Sequence, residues 1–288
     1  EVVGTIRRNE DMHLAMRHLG LVPVLEGKTR HEGFKERVDR IRQIVEEGLD
    51  LDRIREIARE AEPLPEIEPD LYLKNDCGKN LSIGVAQDEA FNFYYRDNLE
   101  LMELAGARIV PFSPVHDASL PEVDGIYIGG GYPEIYAREL SENQSFKSSI
   151  QKAHEKEIPI FGECGGLMYL GREIEWDGGP QEMAGLIPGK ARRGTRRIVS
   201  YVHGHLAQVS PLGRTGEYIM GHEFHHSEML IDPKARVEYA IRLERGTGIA
   251  DGLDGIHIGN LVASYSHIHS ASFRGFPANF LSACRDRR

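Results

Sequence analysis

The residues most able to do chemistry lie in "IPIFGECGGLMYL", 158–170. A short apolar run meets Gly162-Glu163-Cys164-Gly165-Gly166, and a segment able to form a helix follows. This is the G-x-nucleophile-x-G form of a nucleophile elbow, with sulfur in place of hydroxyl. A tight strand-to-helix turn strains the nucleophile's backbone and lets no side chain stand two residues to either side, so glycine is needed there. The turn lifts the thiol clear and leaves backbone N–H groups aimed at an oxyanion. The N-terminus of the following helix also favours a thiolate. The same segment reads alternatively as a small buried cysteine beside a packing glycine pair.

Two further groups bear on that choice. "DGIYIGGGYPE", 124–134, carries an apolar run into Gly129-Gly130-Gly131, where backbone amides can approach a ligand closely. Alone it is equally a plain turn; beside an elbow it becomes an oxyanion loop. A thiol nucleophile also needs a base. Of 13 histidines, eight lie between 203 and 269, seven of them in His203-x-His205, in "GHEFHHSE" (His222, His225, His226) and in "SYSHIHSAS", 264–272. The last follows the apolar "GNLVA" as a strand would, which puts His267 and His269 on one face. Metal ligation is the rival use of these histidines, but no Cys-His spacing of a structural zinc site is present, and no metal site is expected.

The elements around these residues alternate. "LSIGVAQD" reads as a strand, and "YRDNLELMELAGA" as an amphipathic helix closed by Gly106. "RIVPF" and "DGIYIGG" are strands, 145–155 is a helix, and "IPIFGE" is a strand again. The alternation predicts an α/β fold with a doubly wound, mostly parallel sheet, whose functional sites lie at the carboxyl ends of strands. Cys164 directly follows one such end. Upstream, a strand at 2–6 and helices near 31–47 and 51–61 precede "EPLPEIEPDLYLKNDCGKN", 62–80. Three prolines, several acids and no periodicity make that stretch a linker. "ARRGTRRIVS", 191–200, holds four arginines within six residues and reads as a solvated hairpin, with carboxylate steering as the alternative.

Composition sets limits. The chain has 288 residues, 40% of them hydrophobic, which suffices for one large domain or for one domain plus a smaller piece. Cys77, Cys164 and Cys284 are too few and too scattered for a disulfide framework, so a cytoplasmic setting is expected. Cys77 and Cys284 lack any setting like that of Cys164. A net charge of −10 argues against nucleic-acid binding. No apolar run nears the ~18 residues of a membrane span.

Taken together, "FGECGGLMYL", "GGGYPE", "GHEFHHSE" and "SYSHIH" resemble the glutamine amidotransferase domain of the cobyrinic acid a,c-diamide synthase family. "DEAFNFYYRDNLELMELAGARIVPFSP", 88–114, is similar to the opening of that domain. "GTIRRNEDM" and "RHLGLVP" (17–23) resemble the end of the family's ATP-dependent synthetase domain. Cobyric acid synthase and the glutaminase subunit of lipid II isoglutaminyl synthase share the cysteine elbow and are the alternative assignments within this chemistry. A cysteine hydrolase without an ammonia acceptor, or a non-catalytic partner subunit, are the others.

The resemblance implies a flavodoxin-like class I glutamine amidotransferase domain over 81–288, a linker at 66–80, and a remnant of a P-loop-type, dethiobiotin-synthetase-like domain over 1–65. Cys164 would be the nucleophile and His267 the base. Gly130, Gly131 and Gly165 would bind the oxyanion and glutamine. Relatives of the triad type carry Glu two residues after the histidine; here that place holds His269, a possible orienting group. The partners implied are glutamine, an anionic tetrapyrrole and the missing synthetase domain or subunit. ATP and Mg2+ belong to that half, and no cofactor is expected on this chain. "GKT" at 27–29 is no P-loop, since Val22 occupies the place of the first glycine, and it reads as a surface turn. The missing initiator Met suggests a truncation or a split subunit.

Overall fold

Ile83, Val85 and Ala86 are fully buried, so the strand that contains them is covered on both faces, as a parallel strand between helix layers must be. The computed structural model describes residues 1–13, 33–65 and 76–287. The motif at 17–23, Gly27-Lys28-Thr29, the start of the helix expected from 31 and most of the linker at 66–80 lie outside them. The chain divides into two compact units, 1–69 and 70–288.

The first unit holds a 3-10 turn (Glu10–Met12), α1 (Phe34–Gly48) and α2 (Leu51–Glu60). Asp50 caps α2 by accepting the Arg53 N–H at 2.9 Å. The strand expected at 2–6 is reduced to one antiparallel bridge between Gly4 and Leu49.

The second unit runs β1 (Ser82–Ala86), β2 (Phe91–Phe93), α3 (Arg96–Leu104), β3 (Arg108–Phe112), β4 (Gly125–Ile128), β5 (Gly130–Gly131), α4 (Ala137–Glu142), α5 (Gln144–Glu155), β6 (Ile160–Glu163), α6 (Gly165–Leu170), β7 (Gly171–Trp176), β8 (Gly179–Glu182), β9 (Ile187–Leu206), β10 (Tyr218–Ile231), β11 (Glu238–Arg245), β12 (Leu253–Ile258), β13 (Leu261–Ser264), β14 (His267–Ile268) and α7 (Phe276–Asp286). Strands β3, β1, β4, β6 and β13 pair in that order, all parallel. Numbered by chain position among themselves they read 2-1-3-4-5, the flavodoxin-like order. Period-2 alternation separates the two faces. Ile126, Ile128 and Ile160 pack with Phe146, Ile150 and Leu167 of α5 and α6. Tyr127 and Phe161 pack with Met102 of α3 and with Phe276 and Phe280 of α7. The sheet is therefore wound on both sides.

Beyond β13 the sheet continues antiparallel through β12, β11, β9, β10 and β14. The arginine run expected as a hairpin is instead interior to the 20-residue strand β9. There Arg192 and Arg193 pair across to Glu228 and Ser227 of β10, beside a register shift between His225 and Ser227. The arginines do face solvent: Arg192 meets Glu228 at 3.1 Å, and Arg193 meets Asp177 while lying 4.9 Å over the Trp176 ring. Among the described residues no helix is long and apolar enough to cross a membrane.

Candidate functional site

Cys164 sits between β6 and α6 with φ 50 and ψ −95, one of four described non-glycine residues at positive φ. Such a backbone costs on the order of 1–3 kcal/mol and persists only where its surroundings fix it. Here the Cys164 N–H donates to the Ser264 carbonyl at 2.7 Å, its carbonyl accepts the Met168 N–H at 3.1 Å, and the Gly166 N–H donates to the Gly129 carbonyl at 3.1 Å. The flanking glycines are required by space. A Cβ on Gly166 would stand 2.1 Å from the Ile128 carbonyl oxygen, and one on Gly162 2.7 Å from Leu170 Cδ1.

The glycine loop after β4 meets this turn. A Cβ on Gly165 would lie 3.0 Å from the Gly131 amide nitrogen, so the two backbones touch. The Gly129 N–H is committed to the Tyr94 hydroxyl at 2.8 Å, and Gly130 and Gly131 pair as β5 with Phe93 and Phe91 of β2. The Gly165 N–H is turned toward the thiol and lowers its pKa, yet burial first, then Glu134 and Glu163, push that pKa up to about 12. The expected thiolate at the helix N-terminus is therefore a thiol: α6 has only six residues, and desolvation outweighs its dipole. The thiol also makes a long contact, 3.9 Å from Sγ to the Phe224 carbonyl.

His267 is buried and its ring is set against Gly130, where a Cβ would stand 2.6 Å from Cε1. His222, its cross-strand partner on β10, stacks with it at 4.8 Å between centroids and 13° between planes. Burial, with His222 and His225 adding to it, holds the pKa of His267 at about 3, so the imidazole is neutral. The structure thus gathers Cys164, Gly130, Gly131, Gly165 and His267 at the carboxyl ends of β4 and β6.

His269 is elsewhere. Strand β14 ends at Ile268, so the expected alternation stops short. The His269 ring lies 4.4 Å from Tyr95, its Nε2 is 3.4 Å from Asp97, and its Nδ1 accepts the Ala271 N–H. It makes no contact with the His267 ring, and the orienting role is not supported by this geometry.

His267 is held through its backbone instead. Asp254 accepts the N–H groups of Tyr265 and Ser266 at 3.0 and 2.9 Å, which breaks the strand after Ser264 and turns the chain to β10. Glu163 accepts the Ile268 N–H at 2.8 Å. The Asn98 side chain donates to the Ile268 carbonyl at 2.7 Å and accepts the Ser270 N–H at 2.8 Å. The sequence reading missed all three. Their signal was available: each is a polar residue at a core position, Asn98 one turn from buried Met102, Asp254 and Glu163 in apolar strands. Of the other thiols, Cys284 is buried in α7 and Cys77 is half-buried, both away from this cluster.

A model of the CobB/CobQ-like glutamine amidotransferase domain matches residues 82–275. The chain belongs to this family. Proteins named cobyrinate a,c-diamide synthase are similar to it along its length. That of Methanosarcina barkeri is 46% identical, covering 100% of this chain and 61% of its own length. That of Methanothermobacter thermautotrophicus is 43% identical, over 97% of this chain and 60% of its own. That of Listeria innocua is 40% identical, over 93% and 58%. The chain thus spans about three fifths of these relatives. Among solved structures, a chain of PurLQS from Thermotoga maritima shares the fold at a TM-score of 0.51 and 17% identity, covering 72% of this chain and 96% of that one. The CobB/CobQ-like match contains both the cysteine elbow and the histidine strand.

Proposed function

We propose that this chain supplies the glutaminase half of a glutamine- and ATP-dependent a,c-diamide synthase acting on an anionic tetrapyrrole, cobyrinate or nickel sirohydrochlorin. The observation that carries the reading is one cluster: a cysteine at positive φ, two touching glycine loops and a buried neutral histidine, in a CobB/CobQ-like chain.

Cys164 Sγ attacks the carboxamide carbon of glutamine, and His267 takes the thiol proton as the S–C bond forms. The Gly165 N–H, with Gly130 and Gly131, holds the oxyanion. When the intermediate collapses the C–N bond breaks, and His267 passes its proton to the departing ammonia. Water then gives a proton to His267 and attacks the thioester; glutamate leaves and Cys164 regains its proton. The neutral imidazole at physiological pH is the form this sequence of steps needs first.

The ammonia goes to a carboxylate activated with ATP and Mg2+ by the portion of the longer relatives outside this chain, in the same polypeptide or as a subunit. Residues 1–65 are read as the end of that synthetase domain, 66–80 as the linker and 81–288 as the amidotransferase domain. A cytoplasmic setting is part of this reading, since three scattered cysteines are too few for a disulfide framework.

The test is glutamine hydrolysis by this chain. Cys164→Ala is expected to lose at least about a thousandfold in kcat while keeping its fold. His267→Asn is expected to lower kcat more than it raises KM for glutamine. Hydrolysis retained in folded Cys164→Ala would overturn the nucleophile assignment.

A further inference from the structure

Glu163 is an unusual neighbour for a nucleophilic cysteine. Its side chain is buried at the end of β6. Its two oxygens have separate partners. Oε1 accepts the Ile268 N–H at 2.8 Å, and Oε2 accepts the Tyr127 hydroxyl at 2.5 Å. Tyr127 stacks on Phe161 and meets Tyr94 and Phe276 edge-on, so the carboxyl rests on a rigid aromatic floor. The other partner is the residue directly after His267. Glu163 therefore joins the residue before the nucleophile to the residue after the candidate base, 105 positions later in the chain.

That link is needed because β14 is short. It pairs with β10 at only two positions, Gly221 with Ile268 and His222 with His267. The His267 ring stacks with His222 and lies close to Gly130 at Cε1. Where the backbone of residue 267 goes, the ring goes with it. The Ile268 amide is pinned from both ends, its carbonyl by Asn98 and its N–H by Glu163. The Glu163 contact runs from the strand that carries Cys164, so it sets the two reacting groups relative to one another.

We propose that Glu163 is a positioning residue for the glutaminase reaction, aligning His267 with Cys164 by holding the Ile268 amide, the office that a carboxylate on the histidine ring performs in a Cys-His-Glu triad. The proposal rests on the reading of Cys164 and His267 as nucleophile and base. It is specific about mechanism: the acceptor oxygen matters, and contact with the histidine ring does not.

Four variants of the whole chain test it, with His267 ring signals read by 15N-histidine NMR and assigned with His267→Gln. Glu163→Ala removes the acceptor and is expected to lower kcat for glutamine hydrolysis by about tenfold or more, with KM within about twofold. The His267 ring signals should move or broaden. Glu163→Gln keeps an acceptor oxygen and is expected to restore kcat to within about threefold of wild type, with the native ring signals. Tyr127→Phe removes the partner that does not touch β14 and should leave both readouts near wild type. Should Glu163→Ala fail to fold, Glu163→Asp retains the carboxyl group but falls one methylene short, and the same loss is expected of it. The proposal is overturned if the acceptor-free variant is folded with wild-type kcat and ring signals, if Glu163→Gln is as impaired as Glu163→Ala, or if KM rises in step with the fall in kcat. A wild-type chain that neither hydrolyses glutamine nor reacts with a glutamine analogue would count against the glutaminase reading, and the ring signals of the same variants would then decide the role of Glu163.

Discussion

The thiol of Cys164 sits on a turn held at positive φ, beneath a carbonyl of β10, and is protonated because burial and two carboxylates disfavour its charge. The His267 imidazole, set against Gly130 of the adjoining loop, is neutral for the same reason of burial. The resting pair is thus thiol and imidazole, not thiolate and imidazolium, and the proton moves only when substrate is attacked. This fixes a pH dependence. With its pKa pushed up to about 12, Cys164 has a vanishing thiolate fraction at neutral pH. Its alkylation by iodoacetamide, a neutral reagent that needs the thiolate, should rise by about tenfold per pH unit from 6 to 9 with no plateau. Mass spectrometry of the Cys164 peptide gives the rates. A plateau beginning near pH 7 would mean a preformed ion pair and would contradict the neutral one. The cysteine itself was legible in the sequence, because glycines at ±2 around a residue after an apolar run have few other uses. Its protonation state was not, since Glu134 reaches it only through the fold.

The strands and turns that converge on the site differ in how plainly they can be read. Parallel strands β1, β3, β4 and β6 are short apolar runs bounded by turn residues, and their alternation with α3 and α5 gives the winding directly. The antiparallel extension was not legible. Strand β9 is 20 residues long and half polar, with arginines where it leaves the core, so it presents no single period to read. Strand β14 is two residues, and what creates it is Asp254 and Glu163 acting from elsewhere in the chain. His269 was assigned to the face of His267 on the assumption that the strand ran on; it stops one residue short. The close fit of loop against strand yields a prediction at this scale. Gly130→Ala places a Cβ 2.6 Å from His267 Cε1, and the ring stacks with His222. The chain should remain folded, because the loop rather than the sheet yields, but the rate of glutamine hydrolysis should fall by at least about tenfold. Wild-type hydrolysis in Gly130→Ala would show that His267 does not work from this position.

The chain has two compact units, and the candidate site belongs to the second. The CobB/CobQ-like match covers that unit nearly end to end, and similarity to the a,c-diamide synthases extends across both units. The relatives are longer than this chain, and under the proposed function ammonia is released here while the acceptor carboxylate is activated elsewhere. The acidic charge of −10 sits beside an anionic acceptor without contradiction under that division, since only glutamine, not the tetrapyrrole, need enter the Cys164 site. What must hold is that this chain's own residues form the glutamyl thioester. The most direct measurement is intact-mass and peptide mapping after incubation with 6-diazo-5-oxo-norleucine, an electrophilic glutamine analogue, at neutral pH. The account predicts one adduct, on Cys164, suppressed by excess glutamine and absent in His267→Asn on the same time scale. A folded chain that takes up no label, or takes it equally on Cys77 or Cys284, would contradict it.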